Sequence, residues 1–473
     1  MAGLGGLLYG IDVGIIAGAL PHLEATAAVA WKLDAQQVSF VVAAVLMGSV
    51  LSSLFAGTLS DRLGRKPVLV LSGALFSLSV PVIALAGGYG PLLAGRLLQG
   101  ASGGLIGVVV PLYLAETLGP GNRGRGTAIF QLLLTAGLVA AALAGFHYGR
   151  QVDRASALAG RLQDPAAGAG LVFAARDRAW RDIFWVTLAP GLLFTIGALR
   201  LPESPRWLFR RGRAEAARAT LVEIGAEPSG PALLAMARVE QANSGSQPLP
   251  GLLRRRYVFP FLLACAILAC NQATGVNSIL AYIVHILNHA GLPGSMANLG
   301  DAGLKGVNLV MTGVAVILVD HKGRRFLLLA GSGGICIALV LAGALFLGAP
   351  APSERHGWLV AACLAGFMAS YAVGPGVCAW LALSELMPAR IRSNGMSVAL
   401  LVNQLVSTAI AAAYLPMVAR YGDAAMFFSW AGCAALYFLI VLRFLPETRG
   451  LSLEQIEANP RLRGSPGQRP SGR

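Results

Sequence analysis

Long apolar runs alternate with short polar segments along the whole chain. The runs fall at about 2–20, 38–60, 67–87, 91–114, 124–146, 183–201, 257–288, 303–320, 326–348, 358–383, 393–419 and 424–445. A helix needs about 20 mainly apolar residues to cross a bilayer, and in lipid only helices and closed barrels satisfy their backbone internally. Barrel strands alternate over about ten residues; these runs are longer and more uniformly apolar. The pattern predicts an all-α membrane protein with twelve transmembrane helices. The first run lacks a basic start and contains Asp12, so it reads as a span and not as a signal peptide.

Composition strengthens this reading. Only 12% of the 473 residues are charged, about half the share usual in soluble domains. The net charge of +15 is explained by topology rather than nucleic-acid binding. Arg62, Arg65 and Lys66 follow span 2, Arg123 and Arg125 follow span 4, Lys322, Arg324 and Arg325 follow span 8, and Arg390 and Arg392 follow span 10. The opposite loops hold Lys32, Lys305, Arg355 and Arg420. The positive-inside rule then places both termini in the cytoplasm. The segment 147–182 conflicts with this: read as an outside loop, it carries Arg150, Arg154, Arg161, Arg176, Arg178 and Arg181. All six cysteines lie in apolar runs with no metal-type spacing, which predicts packing roles and no metal.

The spans form two sets of six. The expected organisation is a six-helix bundle over 1–202, a cytoplasmic helical insert over 203–256, a second bundle over 257–446 and a cytoplasmic tail over 447–473. Arg213–Glu223 has helical composition, and 241–250 reads as a linker. The two sets share motifs in the same order. Asp61-Arg62-Leu63-Gly64-Arg65-Lys66 after span 2 matches Asp320-His321-Lys322-Gly323-Arg324-Arg325 after span 8. Glu116 precedes Arg123 at the end of span 4 as Glu385 precedes Arg392 at the end of span 10. Pro202-Glu203-Ser204-Pro205-Arg206 after span 6 matches Pro446-Glu447-Thr448-Arg449 after span 12. Three matches in register argue for duplication. Two pseudo-symmetric bundles imply alternating access around a site at their interface.

These motifs set Asp, Glu and Arg at helix ends on one side of the membrane, where they can pair with each other and with helix dipoles. The candidate cytoplasmic gating residues are Asp61, Arg62, Arg65, Glu116, Arg123, Glu203, Arg206, Asp320, Arg324, Glu385, Arg392, Glu447 and Arg449. Amides inside spans are a different kind of candidate. Gln131, Asn271, Gln272, Asn277, Asn308, Asn403 and Gln404 offer neutral donors and acceptors suited to hydroxyls, although buried amides also hold helices together. Asp12, near the middle of span 1, marks a functional site by default, with Arg96 in span 4 as its natural partner. A permanent structural ion pair is the alternative for these two. An organic-anion site would need further cations in mid-span, and Arg96 alone stands out. No enzyme motif and no Walker sequence is present.

The chain resembles the sugar porter family of the major facilitator superfamily, and within it the bacterial proton-coupled sugar symporters, from about residue 5 to 457. The resemblance rests on Gly5-Gly6-Leu7-Leu8-Tyr9-Gly10-Ile11-Asp12, Asp61-Arg62-Leu63-Gly64-Arg65, Gly95-Arg96-Leu97-Leu98-Gln99-Gly100 and Pro202-Glu203-Ser204-Pro205-Arg206-Trp207-Leu208. In the second half it rests on Gln272-Ala273-Thr274-Gly275-Val276-Asn277, Ser384-Glu385-Leu386-Met387-Pro388 and Pro446-Glu447-Thr448-Arg449-Gly450.

The resemblance implies a monosaccharide transporter working by alternating access, with sugar hydroxyls bound at Gln131, Gln272, Asn277 and Asn308 and a sugar ring stacked on Trp380. Asn271 and Asn403 complete the candidate site. It also implies that Asp12 takes up a proton when it separates from Arg96, giving sugar–proton symport. Asn271, Ala281 and Gln404 stand where the family usually has glutamine, tyrosine and tryptophan, so glucose or xylose specificity is not transferable. The expected setting is a monomer in the cell membrane, with sugar and protons as partners, no nucleic acid and no cofactor. A facilitator without proton coupling, a carrier for a polyol such as inositol, and a nutrient sensor with no net transport are the open alternatives.

Overall fold

The computed structural model describes residues 3–118, 123–224, 258–348, 353–387 and 392–446. Every element among them is helical, in this order. The first six spans comprise α1 Leu4–Val29, α2 Ala35–Leu63, α3 Arg65–Ala84, α4 Tyr89–Thr117, α5 Arg123–Ala159 and the pair α6 Pro165–Val186 and α7 Leu188–Leu199. Two short helices follow, α8 Pro205–Arg210 and α9 Ala214–Glu223, the latter where the sequence predicts a helix. The remaining elements are α10 Val258–Ala273, α11 Val276–His289, α12 Gly294–Lys322, α13 Arg324–Gly348, α14 Glu354–Val373, α15 Pro375–Leu386 and α16 Arg392–Phe444. The linker expected at 241–250 and the tail from 447 lie outside the described residues.

Local chemistry sets the helix starts. Asp34 and Gln37 form a reciprocal capping box at α2, with Gln37 N donating to Asp34 Oδ1 at 2.7 Å. Asp164 and Ser204 cap α6 and α8, each followed by a proline in the first turn.

Eleven stretches among the described residues are long and apolar enough to cross a membrane. The last, Val398–Phe444, has 47 residues, about 70 Å at 1.5 Å per residue, roughly twice the hydrocarbon core. It is broken at Gly422, whose φ of 79° and ψ of 167° are not helical. It therefore makes two spans, and the total is the expected twelve. Large apolar side chains stay exposed on the outer faces, among them Phe55, Leu85, Val310, Ile317 and Ile337, a surface suited to lipid.

The chain forms two compact units: Met1–Pro248 with Gly294–Ala302, and Leu249–Pro293 with Gly303–Arg473. In the first, α1 packs on α5 and α6, α2 on α4, and α3 on α4 and α7. The α1–α5 contact is close because Gly6, Gly10, Gly14 and Gly18 recur every fourth residue. A methyl group at Gly6 or Gly10 would collide with the carbonyl oxygen of Phe130 or Leu134, and one at Gly18 would lie 2.7 Å from Gly145 Cα. In the second unit, α16 packs on α10 and α13, and α13 on α14.

Two expectations are corrected. The segment 147–182 is not a long loop: α5 continues to Ala159, α6 starts at Pro165, and only residues 160–164 join them. Some of its charges have structural partners. Arg181 donates to the Ala84 and Ala86 carbonyls at 2.8 and 3.0 Å, satisfying the end of α3, and pairs with Asp177 at 3.0 Å. Lys305, expected in a loop, is fully buried near the middle of the spanning stretch Gly294–Val319 of α12.

Candidate functional site

In the first unit, one network gathers the cytoplasmic-type motifs. The chain turns from α2 into α3 at the single residue Gly64, with φ 107°. A side chain there would collide with the Glu203 carboxylate, so both conformation and space call for glycine. The turn folds Arg65 back against α2. Its Nη1 donates to the Ser60 carbonyl at 3.1 Å and to Asp61 Oδ1 at 2.9 Å, while Nε and Nη2 grip both oxygens of Glu116 on α4 at 2.8 and 2.7 Å. The guanidinium is buried, and this two-pronged geometry is one that lysine cannot reproduce.

Glu203 accepts from the Arg65 backbone N–H at 2.9 Å and from Ser204 N–H at 2.7 Å, so a carboxylate sits at the start of α3. Ser204 Oγ donates to Glu116 and accepts from Trp207 N–H. Trp207 Nε1 donates to the Asp61 carbonyl at 2.8 Å, and Arg210 pairs with Asp61 at 2.9 Å. Asp61, Arg65, Glu116 and Glu203, all named from sequence, thus meet in one place. Ser204, Trp207 and Arg210 belong to the network too; two of them lie inside a quoted motif, but only the fold shows what they touch. The Arg62 side chain is exposed and its carbonyl accepts from Arg211 at 2.8 Å. Arg206 lies half-buried on α8.

The second unit repeats the turn. Gly323 has φ 87° and ψ 159°, against 107° and 164° at Gly64. Arg324 Nη1 reaches the carbonyl of Val319, five residues back, at 3.5 Å, as Arg65 reaches Ser60. The side chains of Arg123, Asp320, Trp380, Glu385 and Arg392, and all of Glu447 and Arg449, lie outside the described residues.

The amides converge in the second unit where span 7 breaks. Gly275 adopts φ 81°, and a side chain there would enter the Trp430 indole. The break ends α10 and starts α11, turning Gln272 and Asn277 toward α16. Gln272 Nε2 donates to Asn403 Oδ1 at 3.2 Å. Asn277 Nδ2 donates to Gln272 Oε1 at 3.0 Å and to Ser407 Oγ at 2.8 Å, and Asn403 Nδ2 donates to the Leu268 carbonyl at 3.1 Å. The second N–H of Gln272 and the carboxamide oxygen of Asn277 have no protein partner among the described residues. Ser407 is the member sequence reasoning missed; it follows Asn403 by one helical turn, a spacing that would have pointed to it. Asn271 is fully buried beside Tyr371. Asn308 is buried on α12, and its carbonyl accepts from the Thr312 hydroxyl at 2.7 Å. Gln131 is half-buried on α5 in the first unit.

Asp12 is buried in α1 beside Tyr9, with Oδ2 against α4 at Gly103, where an added methyl group would come within 2.7 Å. Neither carboxylate oxygen accepts a hydrogen bond among the described residues. Arg96, equally buried, lies two helical turns before Gly103 and donates to Gln99 Oε1 at 2.6 Å and to the Val41 carbonyl at 3.4 Å, with its guanidinium over the Phe184 ring at 5.7 Å. In this conformation Asp12 and Arg96 are not hydrogen-bonded to each other.

A broken span 7, a repeated Gly-Arg turn and buried amides on twelve apolar spans among the described residues define a membrane transporter. The chain belongs to the family described as sugar (and other) transporters, whose sequence profile matches residues 1–459. It is 31% identical to a putative metabolite transport protein of Bacillus subtilis, covering 98% of this chain and 94% of the relative. It is 29% identical to the galactose-proton symporter of Escherichia coli, covering 97% and 93%. Among solved structures it is similar to the xylose transporter of Escherichia coli in an inward-open conformation, with a TM-score of 0.77, 24% identity, and coverage of 97% of this chain and 98% of that one.

Proposed function

We propose that this protein carries a monosaccharide across the cell membrane by alternating access, as a proton symporter. The observation that carries the substrate class is the amide cluster of Gln272, Asn277 and Asn403 at the break in span 7. It keeps neutral donors and acceptors for hydroxyls inside the spans. The 29% identity with a galactose-proton symporter supports the same class.

Coupling rests on Asp12. A carboxylate buried in a membrane span, with no hydrogen-bond partner among the described residues, is positioned to take up and release a proton. Arg96, engaged with Gln99 and Val41 here, is its counter-charge when the helices shift. The Arg65–Glu116–Glu203 network acts as the cytoplasmic gate of the first bundle. Both termini lie in the cytoplasm, a placement the basic loops support, and the working unit is the monomer.

The test is uptake of labelled sugars into proteoliposomes, with and without an imposed pH gradient. The reading predicts accumulation of at least one hexose or pentose driven by the gradient. Uptake without accumulation would leave a facilitator, and absence of any sugar flux would refute the transport reading.

A further inference from the structure

Span 8 carries a feature that neither the gating network nor the amide cluster uses. Along α12, Asn298, Asp301, Lys305, Asn308 and Thr312 recur at alternating steps of three and four residues, which confines them to about 80° of the helix circumference at 100° per residue. All five are buried, Asp301 and Lys305 completely. The opposite face is apolar and open, with Leu299, Val310 and Ile317 exposed. The helix therefore shows lipid one face and hides a polar ribbon on the other. That ribbon holds an aspartate and, near the middle of the span, a lysine.

Neutral sugar hydroxyls need only the donors and acceptors that Asn308 and Thr312 supply. A full positive charge at this depth is costly, and such charges mark substrate or ion paths. An ammonium group has three donors, so Lys305 can hold more than one acceptor at a time. Resting on the transport reading, we infer that Lys305 is a specificity-determining residue for a substrate that bears a carboxylate, a sugar acid such as a uronate or aldonate. The substrate carboxylate takes the ammonium during transit while the ring hydroxyls meet the amides of the same unit.

The test uses the full-length protein in proteoliposomes, measuring uptake of labelled D-glucuronate, D-galacturonate and D-gluconate beside D-glucose and D-galactose. The inference predicts that an acid is taken up with a higher kcat/KM than its neutral parent. Lys305→Gln should reduce the acid-to-neutral ratio about 10- to 100-fold, the loss expected for one charged hydrogen bond, and Lys305→Arg should restore part of it. Transport of neutral sugars with no uptake or inhibition by the acids would overturn the inference and leave the transport reading standing. Failure of every sugar and acid would overturn both. An acid preference unchanged in Lys305→Gln would remove the role given to Lys305. If that variant does not fold, the wild-type comparison of acids with neutral sugars decides the matter alone.

Discussion

Arg65 and Glu116 meet through two parallel hydrogen bonds of 2.8 and 2.7 Å, although 51 residues separate them. Arg65 also closes on Asp61, and Glu116 on Ser204, so this one pair ties α2, α3, α4 and the start of α8 together. Removing either partner leaves the other charge buried, which typically costs about 3 kcal/mol or more.

Glu116→Gln is therefore expected to destabilise the protein by roughly 3 kcal/mol. The Arg65→Lys variant, which keeps the charge but loses the fork, should be nearly as damaging. Thermal unfolding in detergent, followed by uptake at low temperature normalised to the amount of folded protein, measures both. A variant with unchanged stability and unchanged transport would remove this pair from the gating account.

The glycine row of α1 gives a second prediction. Gly10 lies against the Leu134 carbonyl, so Gly10→Val must push α1 and α5 apart. Overpacking of this kind costs about 1–3 kcal/mol, more when the obstacle is backbone. A lower yield of folded protein and a melting temperature reduced by several degrees are expected. Gly107→Ala, where an added methyl group meets nothing within 4 Å, should be silent in the same assay.

For the amides, Asn277→Ala deletes the bonds to Gln272 and Ser407 along with any bond to substrate. A rise in KM of about tenfold with a smaller change in maximal rate is expected, equivalent to about 1.4 kcal/mol. Ser407→Ala, which removes only a support for Asn277, should raise KM less. Kinetics of sugar uptake over a concentration series separate the two, and equal effects would argue that the cluster only holds helices together.

Much of this architecture was legible in the sequence because a bilayer imposes simple rules. Runs of about 20 apolar residues read directly as spans, and repeated motifs such as Asp61–Lys66 and Asp320–Arg325 exposed the duplication. Asp61, Arg65, Glu116 and Glu203 could be named in advance, and the fold brings them together. The charged half of the 147–182 segment misled because helices α5 and α6 extend past their apolar stretches, with Arg181 satisfying the end of α3 instead of marking a loop. Lys305 sits at the edge of the apolar run 303–320, where glycines and Asp301 read as loop; the helix reaches back to Gly294 and buries it. Ser407 carries only the weak signal of lying one turn after Asn403; its bond to Asn277 comes from the fold.

The central claim is proton-coupled sugar transport through Asp12. The most direct measurement is accumulation of a labelled substrate sugar in proteoliposomes under an inward proton gradient, for the wild type and for Asp12→Asn. The wild type should concentrate the sugar and lose that capacity when a protonophore is added. The variant should fail to accumulate it while still exchanging sugar across the membrane. Accumulation by Asp12→Asn equal to the wild type would contradict the account.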